Sequence, residues 1–454
     1  MDYKQLQDKQ RAYFLSGSTR SVEKRRDALR RMETAVKAFR SRIDVALTAD
    51  MDKHPYETYL CEIALVLGEL RWQRRHLRRN ARDRFRPASW RQMPGHTILS
   101  PEPYGLALAA PSWDCPFRGC LMAVIGAVAA GNCVTLVPSA AAPETARLVA
   151  ELLGSVFSED YVAVVPVEDE GRDAWLAERW DVVYFAGDEA EGRAVAAAAA
   201  EKLTPVCLSL TGKSPVILDA GVSLKKAARR IAAGKVVDAG QSALAPDYLL
   251  LPVAEKDSFV EAYRRTLKKF FPRDNHSGMT SLVDDAHFER LQALLEGQDI
   301  LLGGETDAEH RFIEPTLVSV GEAGSALMDE PILGPVLPVI TYETLDEAIA
   351  FINARPKAPA LYLFSKDKTV RRKVLSSCSF GSGCANNTLL QAAGTGRGCY
   401  AVGESGMGAI GGRDSWRTFS HERVLLRSFA HPQGGLRFFP YRKIKYWFMK
   451  LFMR

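Results

Sequence analysis

The side chains able to react with or hold a small molecule in this chain are a scatter of thiols, two serines in suggestive runs, and a few charges. The cysteines stand at 61, 115, 120, 133, 207, 378, 384 and 399, with no CxxC pair and no accompanying histidine cluster. A zinc site is therefore not expected. Cys115, in the run WDCPF, Cys207, on a short apolar run, and Cys384, in FGSGCANN, are the candidate nucleophiles. A reactive thiol needs an electropositive neighbour, and Cys115 adjoins Asp114 instead. Ser242 and Ser209 have no histidine close in sequence to serve as base. Lys213 is ambiguous: an ammonium there suits an anion, or an ion pair with Asp188 or Asp114. Buried small hydrophobes are the plainer reading of all three thiols.

These residues need elements to position them. Residues 1 to about 80 carry apolar positions at spacings of three and four, as in TAVKAFRSRIDVAL and YLCEIALVLGEL, which predicts helices. A proline-marked stretch, 86–103, follows. Short Val- and Leu-rich runs then alternate with helical segments: LALAA, a helix from Phe117, CVTLV, a helix from Pro143, YVAVVPV, a helix near Trp175, DVVYF, a helix from Glu189, and PVCLSL. That alternation predicts a parallel sheet covered on both faces, with a nucleotide-type crevice at its carboxyl edge. A second series runs from SPVILD through a helix around Arg229, YLLLPV, a helix from Ser258, and TSLV onward to ALYLFS, predicting a second α/β domain. The Gly-rich runs 394–398 and 403–408 say only that the backbone turns there.

The 454 residues carry a formal charge of +6, with 47% hydrophobic and 25% charged residues, the balance of a globular protein rather than a disordered or nucleic-acid-coating one. The N-terminus is polar, and the longest apolar window, 121–137, is broken by Gly126, Gly131 and Asn132, so neither export nor a membrane span is expected. Thiols in apolar runs suit a cytoplasmic location. In the final segment, LRFFPYRKIKYWFMKLFMR (436–454), the part after Pro440 places Tyr441, Ile444, Phe448, Leu451 and Phe452 at helical spacing among five positive charges and no acid. Such a helix lies on an anionic membrane surface or packs on protein, leaving a peripheral membrane location open beside the cytoplasmic one.

Taken in order, YLCEIALVL, PEPYGL, WDCPF, AAGNCVTLVPS, GKSP, RRIAAGK, GQSALAPDY, GPVLPV, EAIAFIN, ALYLFS, GESGMG and TFSHER resemble the class 3 aldehyde dehydrogenases. The resemblance implies an α/β fold of two doubly wound parallel-sheet domains with a small bridging arm. It divides the chain into N-terminal helices of the cofactor-type domain (1–83), a bridging and dimerising arm (84–104), a Rossmann-like NAD(P)-type domain (105–208), a catalytic-type domain (209–395), a return to the first domain and the arm (396–435), and the basic aromatic tail (436–454).

The same resemblance assigns roles, and the residues present do not fill them. The family run GQTCVAPDY has its nucleophilic Cys where this chain has Ala243. The general-base Glu of LELGGKSP is Ser209, and the oxyanion-binding Asn of WNYPF is Asp114. A methyl has no lone pair, a hydroxyl does not deprotonate water, and a carboxylate repels an oxyanion. The phosphate-binding TGSTGVG reads AGDEAEG, with Asp188 and Glu189 at the hydroxyl positions between Gly187 and Gly192. The ribose contacts of KPSE and EIFGP meet Val137, Pro331 and Leu333, while Trp113, Lys213, Gly240, Gln241, Gly334 and Asn386 are kept. No cofactor is therefore expected. The chain reads as a pseudoenzyme acting by binding, as a scaffold or regulatory partner in a homodimer or in a heterodimer with an active aldehyde dehydrogenase, without nucleic acid. Two alternatives stand beside it: an NAD- or NADP-dependent aldehyde oxidoreductase or (thio)esterase using Cys115, Cys207 or Ser242, and a carrier of a long-chain aldehyde or acyl group.

Overall fold

The computed structural model describes residues 2–88, 95–166, 171–272, 278–321, 325–428 and 439–452. Six residues of the arm, 89–94, the end of the return segment, 429–435, and the tail residues 436–438, 453 and 454 lie outside them.

Five helical stretches between Tyr3 and Ala81 open the chain, as their apolar spacing predicts. The last begins irregularly: a π-helical segment, Thr58–Ile63, runs straight into Ala64–Ala81. Insertions of this kind often mark functional sites. The first sheet orders its strands Gly406–Met407, Val206–Leu210, Val182–Gly187, Leu106–Ala110, Cys133–Leu136 and Val162–Val164, all parallel except the first. Its central helix, Pro116–Ala130, is buried over most of its length and shares one apolar core with Val66 and Leu70 of the N-terminal helices. Proline in its first turn and left-handed Gly131 just past its end delimit it.

The second sheet has seven strands, between Pro215 and Ala385, with only the edge strand Asp299–Leu302 antiparallel. Continuous burial of Pro215–Leu218 and Ala358–Phe364 is what a strand covered on both faces requires. One predicted strand is absent. Thr280–Val283 is coil, because its amides bond to three separate segments: Ser281 to Met51, Leu282 to Arg311, and Val283 to the side chain of Gln241.

A third, antiparallel sheet joins Arg84–Pro87, Gly95–Pro103 and Ser420–Ser428. Along the last strand Val424, Leu425 and Leu426 are exposed, as is Phe85. The tail forms a helix, Lys443–Phe452, whose Ile444, Trp447, Phe448 and Leu451 face solvent. No helix among the described residues is long and apolar enough to cross a membrane.

Candidate active site and cofactor cleft

Between the two large sheets, Asp114, Ser209, Ser242 and Ala243 line one crevice. Ser209 sits on Val206–Leu210, in register with Ala186 on one side and Gly406 on the other. Ala243 sits in the loop before Tyr248–Pro252. Asp238, Ala239 and Gly240 precede it, all with positive φ. Gly240 is needed there, since a Cβ would come within 2.5 Å of the Gly334 carbonyl oxygen.

That strained turn is anchored from below. The Gln241 amide donates to the carbonyls of Asp238 and Ser281 at 3.1 and 3.0 Å, and its oxygen accepts the Val283 N–H at 2.9 Å. Lys53, wholly buried, lies 2.8 Å from both the Glu62 and the Asp238 carboxylates. Glu62 also accepts the Arg118 backbone N–H at 2.6 Å. Glu57 accepts the N–H of Asp238 and the hydroxyl of Thr280, and burial, with the Asp238 charge adding to it, pushes its carboxyl up to about 7. None of this network was read from sequence, because its members are up to 223 residues apart with no shared motif.

At the crevice the Ala243 N–H donates to Asp114 Oδ2 at 3.3 Å. Burial raises the Asp114 carboxyl above its ordinary value, and Arg118 and this hydrogen bond pull it back. Asp114, at the place where the resemblance expects an oxyanion-binding Asn, thus takes up the Ala243 N–H.

The candidate nucleophiles depart from expectation in one respect. Cys115 does have a cationic partner: Arg118 Nη2 donates to its sulfur at 2.6 Å. Asp114 is therefore not its only charged neighbour, contrary to the expectation from sequence. Burial nevertheless drives the Cys115 thiol well above its usual range, with Arg118 opposing. Burial likewise pushes the Cys207 thiol up to about 12. A thiolate is therefore scarce at both near neutral pH. Ser242 Oγ accepts the Leu244 N–H, and the Cys384 thiol donates to Gln391. Lys213 pairs with neither Asp188 nor Asp114. Its ammonium meets Asp247 and donates to the carbonyls of Leu327 and Glu330, while Asp247 also accepts the Ile332 N–H, so the lysine ties down the 327–332 loop.

The cleft on the other side, about 580 Å³, is lined by Trp113, Val137, Gly187, Asp188, Pro331 and Leu333, among others. Trp113 packs edge-on to His287, whose Nε2 lies 2.7 Å from the Leu333 carbonyl oxygen. Asp188 caps the Glu189–Glu201 helix as predicted, its carboxylate accepting the Glu191 N–H at 2.7 Å. Glu189 pairs with Arg193 one turn on. Gly187 and Gly192 are tight: a Cβ would strike the Phe185 ring and the Glu191 carboxylate at the first, and Leu210 at the second. The start of this helix, where a dinucleotide's phosphates would dock, holds Asp188, Glu189 and Glu191. Two like charges ~4 Å apart repel by roughly 4 kcal/mol at an effective dielectric of 20, so the residues present do not fit a pyrophosphate.

Paired α/β sheets with a crevice between a Rossmann-type cleft and a buried loop define an NAD(P)-binding oxidoreductase fold. The sequence model described as the aldehyde dehydrogenase family matches residues 1–425, and the chain belongs to that family. It is 36% identical over 441 residues, 96% of each chain, to a 4,4'-diaponeurosporen-aldehyde dehydrogenase of Staphylococcus aureus. It is 35% identical over 418 residues, 92% of this chain and 86% of the other, to aldehyde dehydrogenase family 3 member A2 of Rattus norvegicus. The structure of Staphylococcus aureus AldH in a substrate-bound state superposes with a TM-score of 0.96 at 34% identity, covering 100% of both chains. Solved structures of the same fold hold NAD+.

Proposed function

We propose that this chain is an aldehyde dehydrogenase family protein that has lost aldehyde oxidation and acts by binding, as a scaffold or regulatory partner in a dimer. The observation that carries the reading is the methyl of Ala243 in the crevice, with its own N–H held by Asp114. Addition to a carbonyl needs a lone pair at that place, which a methyl lacks, and a donor for the oxygen, and the Ala243 N–H beside it is already taken. Ser209 in the same crevice offers a hydroxyl where water activation needs a carboxylate. The carboxylates at the start of the Glu189–Glu201 helix argue that the chain works without NAD or NADP.

Its relatives are named aldehyde dehydrogenases, and oxidation by this chain would need a displaced nucleophile. Cys115 beside Arg118 is the one observation favouring that rival, and its raised thiol speaks against it. Exposed Phe85, Val424, Leu425 and Leu426 support the three-stranded arm as the surface that pairs with a second copy or with an active relative. The exposed apolar and basic residues of Lys443–Phe452 support contact with an anionic membrane surface.

Titration calorimetry with NAD+ and NADP+ tests the cofactor reading: no binding tighter than millimolar is expected, and a low-micromolar dissociation constant refutes it. Intact mass after incubation with an aldehyde or an activated ester should be unchanged; a covalent adduct moves the assignment to the displaced-nucleophile enzyme. Sedimentation as a monomer, with no capture of an active aldehyde dehydrogenase, contradicts the dimer. Flotation with anionic liposomes that survives deletion of 437–454 contradicts the tail's role.

A further inference from the structure

A second cavity, about 690 Å³, opens beside the crevice and shares Cys115, Arg118 and Ser242 with it. Its volume lies within the roughly 300–1,000 Å³ of ordinary small-molecule sites. Leu60, Leu65, Phe270, Leu389 and Leu390 supply apolar wall. Lys226, Arg229 and Arg230 supply charge: they stand three and four residues apart on Leu224–Val236, hence on one face, and all three are exposed. Arg230 donates to the Asn386 carbonyl at 2.5 Å, while Lys226 and Arg229 have no side-chain acceptor among the described residues. The one lining carboxylate among the described residues, Asp238, is already ion-paired with buried Lys53. Among the described residues the solvent side of the cavity therefore carries positive charge that no lining carboxylate offsets, whereas at its inner end the Arg118 guanidinium lies in the field of the Glu62, Asp114 and Asp238 carboxylates and the Ala243 N–H is held by Asp114.

We infer that this cavity binds a single-chain amphiphile with an anionic head group, a long-chain carboxylate or alkyl phosphate, tail inward and head at Lys226, Arg229 and Arg230. A neutral aldehyde or alcohol of the same length gains the apolar wall and nothing from those charges. Guanidinium groups hold carboxylates and phosphates by paired N–H donors, and at an exposed position that attraction is screened by salt. The inference rests on the reading of the chain as a binding protein and names the ligand class of its cavity.

The test is calorimetry or fluorescence displacement on the full chain with dodecanoate, dodecyl phosphate, dodecanol and dodecanal at low ionic strength, each below its aggregation threshold. One dodecanoate or dodecyl phosphate per chain is expected, at least tenfold tighter than dodecanol, and the preference should shrink at high salt. The two anions tell a carboxylate site from a phosphate site, and selective binding of either supports the inference. The double variant Lys226→Gln/Arg229→Gln, altered only at exposed positions, should bring the anions down to the level of dodecanol with an unchanged melting temperature. Ala392→Phe, which fills the cavity and keeps the charges, should weaken both anions and dodecanol at least tenfold. Equal binding of anion and alcohol, indifference to the charge variant, or no binding of either anion overturns the inference. NAD+-dependent oxidation of dodecanal by the same preparation would instead sink the non-catalytic reading, whereas an inert chain that ignores both anions sinks this inference alone.

Discussion

The loop carrying Ala243 has two sides, and they have fared differently. Toward the core it rests on Gln241, Lys53, Glu62 and Asp238, a buried network in which the Lys53 and Glu62 side chains are wholly inaccessible. Toward the crevice it presents a methyl group, a serine at 209 and a carboxylate at 114. Holding buried charges in register demands matched partners, while the residues facing the crevice carry no such constraint from the fold. The contrast teaches that the anchoring of a loop and the groups it presents answer to different constraints, so that a resemblance built on the anchoring says little about the chemistry on the other face.

The contrast can be broken by substitution. Lys53→Met should lower unfolding free energy in urea by about 3–5 kcal/mol, because two carboxylates are left buried without their cation. A loss near zero would mean that the network carries no weight. Lys235 is the opposite case: a wholly buried ammonium without a hydrogen-bond partner among the described residues, its value driven down to about 8 chiefly by burial. Unfolded, it takes its proton at its ordinary 10.5, so between about 8 and 10.5 the unfolded chain holds more proton and stability rises with pH on this account. Lys235→Met should therefore be more stable than the parent by roughly 1–3 kcal/mol below pH 8, the difference fading toward pH 10.5. A difference that is flat with pH removes the titration from the explanation. On the crevice side, Ala243→Ser and Ser209→Ala should change stability by no more than about 0.5 kcal/mol. Ala243→Cys combined with Ser209→Glu should recover no measurable NAD+-linked oxidation, since Asp188, Glu189 and Glu191 still stand where the pyrophosphate would dock. Recovered turnover would show the cofactor cleft to be open.

Much of the architecture was legible because strands such as Pro215–Leu218 and Ala358–Phe364 are short unbroken apolar runs, and because Asp188 stands at a helix start where a carboxylate caps. Thr280–Val283, a short β-branched and apolar run in the alternating series, is not a strand, since its amides are taken by Met51, Arg311 and Gln241, partners that no local pattern announces. Flanking motifs picked out Ala243, Ser209 and Asp114 from sequence, and the structure brings the three to one crevice. Lys213 was misjudged because Asp247 lies 34 residues away. The Arg118 contact to Cys115 was within reach: the two are three apart at the start of a helix, the spacing at which side chains meet.

The most direct measurement is absorbance at 340 nm with purified chain, NAD+ or NADP+, and a panel of aliphatic and aromatic aldehydes. No enzyme-dependent reduction of either dinucleotide is expected at any substrate concentration. Reduction that scales with the amount of chain, and survives in a preparation free of other dehydrogenases, would contradict the account.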